Sequence, residues 1–202
     1  MPLTVRYLGM AVSWIGFTLS FTLLFLSMRA VLDIGGFCAE GGPYVIQTTC
    51  PGETGWLANL SIYLGLASVG VGFYFACGLG ASVMLAAWPI LFIGLSLNFF
   101  QTGFAAGGMG TTAMFLGAMF LVMGAVPLVF WLRRRRNRIA LIAGTSKIDG
   151  TSVGKLDLSW VRAPASEDEP RELSGTDYIV LIPLWLLEAA LGVWIGVIWF
   201  GG

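Results

Sequence analysis

Three residues of this chain stand out for the chemistry their types and places allow: Glu188 inside a long apolar stretch, and Cys38 and Cys50 within a glycine-rich segment. A carboxyl among apolar residues either handles a proton or cation or serves as polar glue between helices. Two nearby cysteines either close a structural disulfide or shuttle electrons. Glu188 has suggestive company. Gly192 and Gly196 follow it at steps of four, so the three share one helical face. The two glycines form a G-x-x-x-G pair, which permits close approach of another helix.

The elements that must position these residues follow from composition. Of 202 residues, 57% are hydrophobic and 11% charged, with a mean hydropathy of +0.84. Soluble domains carry about 25% charged residues, so this is the composition of an integral membrane protein. The 11 basic and 11 acidic side chains cancel, which gives no electrostatic case for nucleic-acid binding. There is no histidine, so the commonest metal ligand and general base is missing. No phosphate-binding loop, nucleophile elbow or metalloprotease signature occurs either. We therefore expect no catalytic residue, no metal site and no cofactor.

A hydrocarbon core of about 30 Å takes roughly 20 apolar residues per helix. Leu8 to Met28 forms the first span, a retained signal anchor. The stretch from Trp56 to Phe104 is too long for one crossing, and Gly78-Leu79-Gly80 divides it into Trp56 to Cys77 and Ala81 to Phe100. Thr112 to Leu132 is the fourth span, and Tyr178 to Phe200 the fifth. The expected fold class is all-α, a polytopic transmembrane bundle of five spans. Residues 1–132 form a four-span region, 133–176 an inner loop, and 177–202 the last helix with a short outer end. Five crossings put Arg6 and the block Arg133, Arg134, Arg135, Arg136 and Arg138 on one side, as the positive-inside rule requires. The N-terminus is then cytoplasmic and the C-terminus extracytoplasmic. The arginines serve orientation first, and contact with anionic lipid headgroups second.

The outer loop, residues 32–55, holds Cys38 and Cys50 on the oxidising side, where a disulfide staple is the favoured reading. Membrane thiol oxidoreductases of the DsbB or vitamin K epoxide reductase kind use two cysteine pairs. Here there is no C-x-x-C, and the third cysteine, Cys77, falls at the inner end of span two. Asn98 and Gln101, at the outer end of span three, are placed to pair with the cysteine loop. In the inner loop, Asp149-Gly150 between Ile139 to Ile148 and Thr151 to Val161 suggests a small β-hairpin, with an irregular loop left equally open. Ala163 to Gly175 reads as a linker. Pro89, Pro127 and Pro183 each fall within a span. Ser68, Gly70 and Gly72 in span two, and Gly117, Ala118 and Gly124 in span four, are of the sizes found at helix contacts.

Glu188 lies near mid-bilayer, where an acidic residue costs roughly 2.5 to 3.5 kcal/mol on insertion scales. It should point into a helix contact in its neutral, hydrogen-bonding form, paired with a Ser or Thr of the first two spans. The segment Met28-Arg29-Ala30-Val31, Gly35-Gly36, Cys38, Gly41-Gly42-Pro43-Tyr44 and Cys50-Pro51 resembles a signature of small uncharacterised multi-spanning membrane proteins of high-GC bacteria. Nine arginines to two lysines agree with that resemblance, which implies a bacterial inner membrane and no transferable activity. The leading expectation is a non-enzymatic accessory or scaffold subunit that assembles through the Glu188, Gly192 and Gly196 face with a membrane partner or a second copy, in contact with membrane lipids. The alternative is a small proton- or cation-coupled transporter or channel using Glu188. A thiol oxidoreductase is the third reading.

Overall fold

The computed structural model describes residues 3–36, 38, 48–52, 54–75, 79–105, 110–133 and 175–201. Within them lie five helices: α1 (Leu3–Asp33), α2 (Thr54–Tyr74), α3 (Leu79–Phe104), α4 (Gly110–Arg133) and α5 (Gly175–Gly201). All five are long and apolar enough to cross a membrane. No strand occurs among the described residues, and the expected hairpin at 139–161 lies outside them. So do Arg134, Arg135, Arg136 and Arg138, the linker, Glu40, Glu53 and Cys77.

Helix α1 runs longer than its apolar core. At 31 residues it measures about 46 Å, more than the roughly 30 Å of hydrocarbon it must cross. The extension includes Arg29 and Asp33, whose side chains form an i,i+4 ion pair of 3.1 Å. Beyond Asp33, Gly35 and Gly36 adopt φ of 105° and 86°, and the Gly36 N–H returns to the Val31 carbonyl at 2.9 Å. Only glycine enters that left-handed region freely, so the pair stops the helix. Thr54 starts α2, its hydroxyl donating to the Pro51 carbonyl at 2.8 Å.

Helix α1 is the hub, packing against α2, α3 and α5, while α4 packs on α3. Small residues set these contacts, because in lipid association rests on close van der Waals approach. Gly16 lies against Ser68 and Gly65 against Ser20, so α1 and α2 run antiparallel. Gly94 lies against Phe21, and the Asn98 amide donates to the Phe25 carbonyl at 2.9 Å, so α3 runs parallel to α1. Gly117 against Phe100 and Gly124 against Ile93 make α4 antiparallel to α3. Stacked rings at Phe99–Phe120, 5.3 Å apart, reinforce that pair. The end of α4 therefore lies at the same end of the bundle as Arg6, and Arg29 at the other, as five crossings demand.

Three expectations need correction. Gly70 has no atom within 4 Å of where its side chain would grow, and Ala118 is exposed, so neither marks a helix contact. Among the described residues, Asn98 and Gln101 find their partners on α1 and not on the cysteine loop, Gln101 accepting from the Arg29 guanidinium at 2.7 Å. Their helix runs beside α1 at that end.

The glycines give a stability test. A methyl at Gly192 would meet Thr18 and the Ile15 carbonyl oxygen; Gly192→Ala should destabilise the bundle by about 1–3 kcal/mol, the usual range for overpacking. Gly70→Ala should leave it unchanged or raise it by up to about 1 kcal/mol, because alanine favours the helix. Unfolding of both variants in mixed detergent micelles checks the order, and the reverse order would contradict this packing.

Candidate functional site

The site is built where α5 meets α1. The two helices run parallel, since Leu181 and Trp185 of α5 join Met10, Trp14 and Phe17 of α1 in one buried cluster, and Gly192 and Gly196 lie further on against Thr18 and Thr22. The Trp14 indole donates to the Trp185 carbonyl at 3.1 Å, and the two rings meet edge to face at 6.3 Å. Glycine at 192 and 196 is required because α1 backbone, at Ile15, Leu19 and their neighbours, occupies the space a side chain would take.

Glu188 sits one turn before Gly192 on this seam. Side chains on a helix lean toward its N-terminus, which carries the carboxyl away from the glycine contact to the level of Leu184. There the helices part around a recess of about 410 Å³ lined by Val5, Tyr7, Leu8, Ala11, Leu184, Trp185 and Glu188. The glutamate faces a helix contact, as its spacing suggested. It does not find the hydroxyl expected for it. Its Oε2 is shielded from solvent and has no hydrogen-bond partner among the described residues.

The physical reason lies in α1. Ser13 donates to the Gly9 carbonyl at 2.6 Å, Ser20 to Phe17 at 2.9 Å and Thr22 to Thr18 at 2.8 Å. Thr18 donates to the carbonyls of Trp14 and Ile15, each at 3.1 Å. Within a helix these side chains spend their one proton on carbonyls three or four residues back, so none of the four donates to Glu188. Among the described residues the Trp185 indole N–H likewise finds no acceptor, although the residue is 5% exposed. Its orphaned donor is a feature that sequence did not suggest.

The second candidate, Cys38 and Cys50, is closed as a disulfide at the end of the bundle where α1 stops. Beside it, Arg29 bridges Asp33 and Gln101 and so ties α1 to α3. No group of His, Cys, Asp or Glu among the described residues is arranged to hold a metal ion. The chain thus falls in the class of multi-pass membrane proteins by its five apolar helices. Comparison with family models, curated proteins and solved structures finds no match.

A carboxyl in such a recess has a chemical signature. The apolar reagent dicyclohexylcarbodiimide should label Glu188 in membranes, and Glu188→Gln should remove the label. A water-soluble carbodiimide should instead find exposed acids such as Asp33. Equal labelling of Glu188 by both reagents, read by peptide mass spectrometry, would show that the recess opens to water.

Proposed function

We propose that this protein is a non-enzymatic accessory or scaffold subunit of a bacterial inner-membrane complex, with its N-terminus cytoplasmic and its C-terminus outside. The orientation is supported by the shared end of Arg6 and the close of α4, next to which the arginine block follows in sequence. The resemblance to membrane proteins of high-GC bacteria supports the compartment. The arginines would set topology and meet anionic headgroups.

One observation carries the assembly reading: α5 packs extensively against α1 alone, on the stripe of Trp185, Gly192 and Gly196. Because the glycines are taken up inside the chain, a partner helix would meet a different face. Leu187, Leu191, Trp194 and Ile198 recur at steps of four and three, all exposed. At about 100° per residue they lie roughly opposite the α1 seam. We assign docking of the membrane partner to this stripe. Glu188 is left at its edge, in the recess.

The test is purification of the tagged chain in mild detergent at native expression, with mass spectrometry of what accompanies it. A stoichiometric membrane protein is expected, and the double variant Leu187→Ala, Trp194→Ala should reduce its recovery at least tenfold, on the order of 1.4 kcal/mol. Ile179→Ala, away from the stripe, should not. A chain that purifies alone, or a partner equally retained by the double variant, overturns the reading.

A further inference from the structure

The recess between α1 and α5 has the composition of a site for a particular ligand class, independent of any partner on the opposite stripe. Its volume of about 410 Å³ falls in the range of roughly 300–1,000 Å³ typical of small-molecule pockets. Apolar side chains make most of its wall. Two aromatic residues, Tyr7 and Trp185, and one carboxyl supply everything else. The rim residues Val5, Leu8 and Leu184 are exposed on the apolar outer surface of the helices, so a ligand reaches the site from the hydrocarbon.

The carboxyl sets the charge of that ligand. Among the described residues, Glu188 has an oxygen shielded and without a partner, and no Lys or Arg belongs to the lining. An opposite charge placed against it gains electrostatic energy in a medium of low dielectric, and aromatic faces attract cations further. Inorganic cations fit poorly. They require several oxygen ligands to replace their water, and the side chains of the described lining offer one carboxyl and the Tyr7 hydroxyl. An organic cation needs no such cage, and its apolar body suits the wall.

We propose that the α1/α5 recess binds a lipophilic organic monocation, an ammonium bearing apolar substituents, at Glu188 in exchange for the carboxyl proton. The exchange balances: the O–H bond of the neutral acid breaks, the proton passes to water, and the carboxylate formed pairs with the incoming cation. The titratable groups around the exchange are few among the described residues. There, Tyr7 is the only one that α1 contributes to the lining, and Glu188 the only one from α5.

The test uses the full-length protein in detergent with tetraphenylphosphonium as probe, followed by calorimetry in buffers of different ionisation enthalpy. One cation should bind per chain with release of one proton, and in the acid range affinity should rise about tenfold per pH unit. The anionic isostere tetraphenylborate should not bind. Glu188→Gln should abolish cation binding and proton release, and Ala11→Phe, which keeps the acid and fills the recess, should abolish binding as well. Binding of cation and anion alike, binding without proton release, binding retained in Glu188→Gln, or no binding by the native chain would each overturn the proposal. The native-chain comparisons decide it even if a variant fails to fold, and none of these outcomes depends on the docking stripe.

Discussion

The close approach of three helices to α1 is the constraint on which the rest depends. In hydrocarbon no water is released when helices meet, so the gain comes from dispersion contacts that require backbones to come near. Helix α1 meets that requirement by using different small residues toward different neighbours. Gly16 and Ser20 face Ser68 and Gly65 of α2, whereas Thr18 and Thr22 face Gly192 and Gly196 of α5. Toward α3 the small partner is Gly94, beside the Phe21 ring. Helix α4, which packs mainly on α3, is held there by Gly117, Gly124 and stacked phenylalanines.

The same constraint produces the recess. Where glycine lies opposite threonine the helices nearly touch, and one turn earlier, where Glu188 and Leu184 replace glycine, they must separate. The Ser13, Thr18, Ser20 and Thr22 hydroxyls of α1 donate to backbone carbonyls of their own helix and so do not donate to this carboxyl. A costly carboxyl is thus kept beside an apolar space. At the far end of the bundle longer side chains make the polar ties, Arg29 reaching both Asp33 and Gln101.

Much of this architecture is legible in the chain, and the parts that are not share a cause. The number and direction of helices follow from apolar run length and from glycine punctuation, since a span must be about 20 residues long whatever its neighbours. The inward aim of Glu188 follows from its period with Gly192 and Gly196. Helix order does not follow, because a small residue announces closeness without naming the neighbour. Gly70 and Gly72 look alike in sequence; two residues apart on a helix, they face opposite ways, and only Gly72 is buried. The α1 extension past Met28 depends on an Arg29 and Asp33 pair that reads equally as loop charges. Nor does sequence reveal that Ser13, Thr18, Ser20 and Thr22 donate to their own helix and not to Glu188.

Parallel docking of α5 on α1 of its own chain can be read by cross-linking in membranes. Leu8→Cys and Leu184→Cys, which place thiols on the rim of one recess, would be joined by a short bis-maleimide in a chain with Cys77 replaced by Ser. Proteolysis at Lys147 and Lys155 then separates α5 from the other helices unless the two are linked. The α1 and α5 peptides should remain joined within single chains, even when the protein is dilute in the membrane. Links found only between different chains would contradict that docking.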